Sequence, residues 1–160
     1  MVNRLQTSIG VLGLLIGAAV YVIDRPSDRT YLFNLLPIWL SGYSTGPRLF
    51  TIVGGSLPSF IHALSFSMIT SSLYPTKALI YALICLRWLF IGVIFELGQG
   101  PGKWIIQLIP DSMNKIPCIG SIQDYFLLGT FDVLDLLAVF LGSSTGFLLL
   151  LLTGDRRYEE

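Results

Sequence analysis

Five side chains in this sequence could bind a ligand or move a proton: His62, Glu96, Gln99, Asp132 and Asp135. An imidazole beside carboxylates suits acid–base work. It could also hold a divalent ion through oxygens and one ring nitrogen. Two carboxylates at close range favour a single shared proton. No activated nucleophile stands out: Ser65 lies one turn from His62, a spacing with little specificity, and there is no Gly-rich phosphate loop. Cys85 and Cys118 are far apart, CxxC is absent, and His62 is the only histidine, so zinc ribbons and haem attachment are excluded. No cofactor or metal is expected.

The elements that must carry these residues are apolar. Of 160 residues, 53% are hydrophobic and only 12% are charged, where a soluble domain carries roughly 25% charged residues. Mean hydropathy is +0.72. Such a chain is too apolar for disorder and has too few charges to coat a soluble enzyme. Zero net charge and the lack of a basic run argue against nucleic acid as a partner. The composition therefore points to an integral membrane protein, all-α and polytopic, formed by residues 1–160 as one domain.

A helix crossing the hydrocarbon needs about 20 mostly apolar residues. Four stretches qualify by eye: residues 5–23, 57–74, 77–97 and 131–152. The first is too long for the h-region of a signal peptide and is followed by no A-x-A site, so it reads as a retained helix. Pro75-Thr76 forms a tight turn between the second and third spans. The other two connections are long. Residues 31–40 (YLFNLLPIWL) and 104–109 (WIIQLI) within them suit short interfacial helices, or loops packed on the bundle. The dense cations Arg4, Lys77, Arg156 and Arg157 place both termini and the short turn in the cytoplasm, with both long loops outside.

This topology brings all five polar residues to one side of the membrane, whichever way the protein is inserted. Ionisable residues within a span are costly and tend to be functional. They also fall on stripes at helical spacing: Cys85, Gly92, Glu96 and Gln99; Asp132, Asp135, Val139, Gly142 and Gly146; and His62, Ser65, Ile69 and Ser72. Small residues on such stripes allow close helix packing, as do Gly10, Gly13 and Gly17 in the first span. The stripes are expected to face one another around an outward-facing acidic pocket. Each residue also has a plainer role. Asp132 would favour the positive end of a helix dipole, with Thr130 as N-cap. Glu96 and Gln99 would be helix-end residues, and His62 an interfacial histidine. Arg87, mid-span and about 15 Å from Lys77 along the helix, points away from Glu96 and is expected to make an intramolecular polar contact or to meet a partner.

The order of these features resembles the VanZ-like family of small bacterial membrane proteins. The matching stretches are FIHALSFSMI (60–69), GVIFELGQ (92–99) and GTFDVLDLLAVFLGSSTG (129–146). The resemblance carries the family's His onto His62, its Glu and Gln onto Glu96 and Gln99, and its two acids onto Asp132 and Asp135. Where the family often has Arg before the F-D pair this chain has Gly129, and where it often has Asn it has Val139. The family is named for a protein linked with resistance to the glycopeptide teicoplanin. The resemblance implies a non-catalytic envelope protein of the bacterial plasma membrane that engages lipid-linked or amphiphilic headgroups, with membrane lipids as partners. Two alternatives stand beside it: an accessory subunit of a larger membrane complex, and an intramembrane acid–base or metal-dependent enzyme.

The topology has a direct test. A cysteine at position 157 (Arg157→Cys) should resist an impermeant thiol reagent in intact cells. Rapid labelling there would place the C-terminus outside.

Overall fold

The computed structural model describes residues 2–24, 51–75, 77–101, 104–109, 126–127 and 129–154. Within them lie four long helices: α1 (Arg4–Asp24), α2 (Thr51–Ser71), α3 (Ala78–Gly98) and α4 (Val133–Thr153). A single 3-10 turn covers Trp104–Leu108. All regular structure among the described residues is helical. Each long helix has 21 residues, about 31 Å at 1.5 Å per residue. α3 and α4 are both long and apolar enough to cross a membrane, and α1 has a shorter apolar stretch over Arg4–Val20. The interfacial segment expected at 31–40, the cations Arg156 and Arg157, and Cys118 lie outside the described residues.

α2 begins six residues earlier than the apolar pattern suggests and ends three residues sooner. Gly54 and Gly55 fall in the loop ahead of the span read from sequence, yet they belong to the helix, which runs on through Pro58. Pro58 supplies no N–H to the carbonyl four residues back. Packing outweighs that loss: one turn on, Phe60 and Ile61 are pressed against neighbouring helices on two sides. The α2–α3 connection is a chain of tight turns. Leu73 N donates to Thr70 O and Tyr74 N to Ser71 O, at 3.2 and 3.0 Å, and Lys77 N donates to Pro75 O at 2.9 Å.

Glycines set how closely the helices approach. A Cβ on Gly142 would strike the backbone carbonyl of Phe60, so α4 lies against the main chain of α2. Gly146 lies beside Leu64 and Ser67 one turn further along. On the other side of α2, Gly10 meets Ile69, Gly13 meets the Ser65 hydroxyl and Gly17 meets Ile61, which makes α1 and α2 antiparallel. Gly92 packs on Val139 and joins α3 to α4.

Polar and apolar residues share the interior: Ser65, Ser67, Ser71, Ser72, Ser143 and Gln6 are buried along with Met68, Tyr81, Cys85 and Leu150, while Leu79, Leu83, Phe90, Leu148 and Leu152 are exposed. Buried serines beneath large exposed apolar side chains depart from the usual arrangement of a water-soluble core. Where the start of α1, the end of α2, the start of α3 and the end of α4 meet, a hydrogen-bond network ties them together. Gln6 Nε2 donates to the Tyr81 hydroxyl at 3.2 Å and to Thr153 Oγ1 at 3.3 Å. Asn3 Nδ2 donates to the Thr153 carbonyl at 3.1 Å. Asn3 N donates to Ser72 O at 3.0 Å, and Thr7 Oγ1 to Ser72 Oγ at 3.0 Å.

Gly142→Ala should therefore force α2 and α4 apart and lower stability by about 1–3 kcal/mol, the usual cost of overpacking. Gly55→Ala, where a Cβ meets nothing within 4 Å, should not. Thermal melting of the two purified variants in detergent compares them directly.

Candidate functional site

At the bundle end opposite this network, the last turns of α3 meet the first turn of α4. Glu96 is buried, with 6% of its surface exposed. Its Oε1 accepts a hydrogen bond from the backbone N–H of Asp132 at 2.8 Å. Asp132 is extended (φ −131°, ψ 124°) and is itself the N-cap of α4; its Oδ1 accepts from Leu134 N at 2.8 Å. Asp132 O accepts from Asp135 N at 3.1 Å and from Leu136 N at 3.3 Å. Most of the donors left over at this helix start are thus satisfied by two acidic residues, and the helix dipole favours their charge.

The plainer role foreseen for Thr130 falls to Asp132. Asp132 is exposed and caps the helix. Asp135, a turn deeper, is half-buried, and the charges of both aspartates act on Glu96. Gln99 is the buried C-cap of α3, where its N–H donates to Glu96 O at 3.1 Å. The chain beyond folds back over this end: Trp104 Nε1 donates to Leu97 O at 3.3 Å, and Gly98 lies against Phe126 and Ile105.

Beside the junction a cleft of about 340 Å³ opens between α2 and α3. From α2 come Ser59, His62, Ala63 and Phe66, and from α3 Trp88, Ile91, Gly92, Phe95 and Glu96; Val139 of α4 forms the floor. His62 and Phe66 stack at 5.8 Å between ring centres, and Phe66 and Trp88 at 4.7 Å with 19° between their planes. Trp88 Nε1 donates to Thr70 Oγ1 at 3.0 Å and fixes the end of this aromatic ladder.

Of the residues singled out in sequence, Glu96, Asp132 and Asp135 therefore meet, and His62 and Glu96 share the cleft. Gln99, Asp132 and Asp135 flank its wall without forming it. The α2 stripe divides: Ser65 and Ile69 face α1, while His62 faces the cleft. Ser65 is thus removed from His62's working side. Ser59, three residues before His62 and on the cleft wall, is the hydroxyl overlooked in sequence, although its spacing is equally helical. The Phe66 pairing with His62, four residues apart, was also legible; Trp88, from another helix, was not. Arg87 is exposed and makes no hydrogen bond or ion pair with any described residue, so the intramolecular contact expected for it is not formed among them. Its position on α3 turns it to the outside of the bundle. Among the described residues no group of three or more His, Cys, Asp or Glu side chains is placed to hold a metal ion.

Comparison with protein-family models, with curated proteins and with solved structures finds no match to this chain.

The Glu96–Asp132 bond separates two substitutions. Glu96→Gln keeps an oxygen acceptor for Asp132 N and should melt within about 0.5 kcal/mol of the parent, whereas Glu96→Ala orphans that N–H and should cost about 1–3 kcal/mol. Denaturation in detergent, followed by circular dichroism, reads the difference. Equal losses for both would show that the bond contributes nothing.

Proposed function

We propose that this chain is a VanZ-like protein of the bacterial plasma membrane, with four spans and cytoplasmic termini, whose cleft binds the headgroup of an amphiphile at the outer surface. The observation that carries this reading is the cleft itself, with a buried carboxylate and an imidazole set among aromatic and aliphatic walls. Such a surface suits a molecule with both a polar head and an apolar chain. Four helices of equal length near the 30 Å of a bilayer's hydrocarbon core support the four-span arrangement. So does the apolar exterior around a serine-lined interior.

A second reading, an accessory subunit, is favoured by Arg87. It stands at the tenth position of α3, exposed beside Leu83, Leu86 and Phe90. A guanidinium at mid-bilayer costs about 2.5–3.5 kcal/mol by insertion scales, a cost that a carboxylate on a neighbouring subunit would offset. Catalysis stands behind both readings: Ser59 shares the cleft with His62, but no hydrogen bond among the described residues joins the two to activate it.

Extraction in a mild detergent, with analysis of co-purifying lipids and proteins, tests both readings. Glu96→Gln, in the cleft wall, should leave melting nearly unchanged and weaken retention of the amphiphile, and Asp135→Asn, beside the wall, should weaken it less. Arg87→Leu should leave the amphiphile in place. A co-purifying protein lost on Arg87→Leu would establish the subunit reading, and a preparation that carries no amphiphile would overturn the pocket.

A further inference from the structure

Among the described residues Glu96 has no Lys or Arg beside it. It is a carboxylate with only 6% of its surface exposed, and its one recorded hydrogen-bond donor is the neutral N–H of Asp132. No described cation pairs with it: Arg4 and Lys77 lie at the opposite end of the bundle, and Arg87 faces outward without an ion pair. The charges of Asp132 and Asp135 also act on it and deepen the negative field. A carboxylate desolvated without a cation is expensive, and this one lines an open cleft. A cation entering the cleft from outside would reach it there.

The remaining walls narrow the class of that cation. Beside Glu96 the cleft offers the rings of Phe66, Trp88 and Phe95, with Ile91 and Ala63 between them. Aromatic rings attract a weakly hydrated organic cation, and aliphatic walls accept an alkyl chain. Inorganic cations are disfavoured, since no cluster of oxygen or nitrogen ligands converges there among the described residues. Phosphate is repelled by three neighbouring carboxylates.

From this charge complementarity we infer that the cleft takes an ammonium-bearing amphiphile, its cationic head at Glu96 and its chain along the aromatic wall. The inference rests on the amphiphile reading above and adds the sign and kind of the head. Trp88 lies in the cleft wall and can report occupancy. In a Trp39→Phe, Trp104→Phe background in neutral maltoside micelles, dodecyltrimethylammonium should change Trp88 emission saturably. Dodecyl octaethylene glycol ether, dodecyl phosphate and tetramethylammonium should not. Glu96→Gln, which keeps the acceptor for Asp132 N, should raise the midpoint by about tenfold or more. If the uncharged ether titrates Trp88 as well as the ammonium does, the pocket binds amphiphiles without charge selection, and the inference fails while the broader reading stands. If none of the three amphiphiles titrates it, both fail. Tetramethylammonium acting alone would show a site for free cations and overturn the role of the chain. The comparison among ligands needs no variant, so it decides the matter even if Glu96→Gln folds poorly; a Glu96→Gln protein that folds and titrates like the parent overturns the inference.

Discussion

The close approach of α4 to α2 at Gly142 governs the arrangement of the bundle. With no side chain at that position, the Phe60 carbonyl sits where a Cβ would be. Backbone-to-backbone contact of this kind fixes depth and rotation together, because a shift along either helix brings a bulkier neighbour into the seam. The rest follows in register. Val139, one turn before Gly142, meets Gly92 of α3. Two further turns toward the start of α4, the chain reaches Asp132 as Glu96 arrives from the opposite direction. The acidic junction is thus held in place by a glycine lying about three turns away from it.

That junction serves two ends. Asp132 and Glu96 satisfy the start of α4, whose first N–H groups have no partner within the helix. The same Glu96 forms one wall of the cleft. A side chain fixed by a structural hydrogen bond is also preorganised for a ligand, since its rotamer has already been chosen. Capping and binding are commonly treated as rival explanations for an acid at a helix end. At Glu96 they are compatible, because one oxygen is engaged by the backbone while the carboxylate as a whole borders open space.

Much of the helical framework was legible in the sequence, because apolar runs near twenty residues and the sparse charges report it directly. The meeting of Glu96 with the start of α4 was legible too, since antiparallel helices return their ends to one side. Other features were not. Gly54 and Gly55 carry a loop signal, and the helix nonetheless begins ahead of them. The cap passed from Thr130 to Asp132 because a boundary of two residues cannot be read from hydropathy. Spacing placed Ser65 beside His62, but α1 claims the face that Ser65 occupies. The cluster of Asn3, Gln6, Tyr81 and Thr153 left no local trace, since its members share neither a motif nor a period. Such contacts, between residues as far as 150 positions apart, belong to the tertiary structure alone.

That cluster also bears on how the protein is made. Thr153 ends the fourth helix, and both Asn3 and Gln6 donate to it. During synthesis at about 5–20 residues per second, Asn3 emerges many seconds before its partner exists. Until then the amide of Gln6 must be satisfied by Tyr81, by water or by a chaperone. The first helix therefore packs on the second early, through Gly10, Gly13 and Gly17, while its polar end gains its last partner only when the fourth helix is complete. A chain cut short before Thr153 would leave the amides of Asn3 and Gln6 without their partner on the last helix, although the first two helices had already packed.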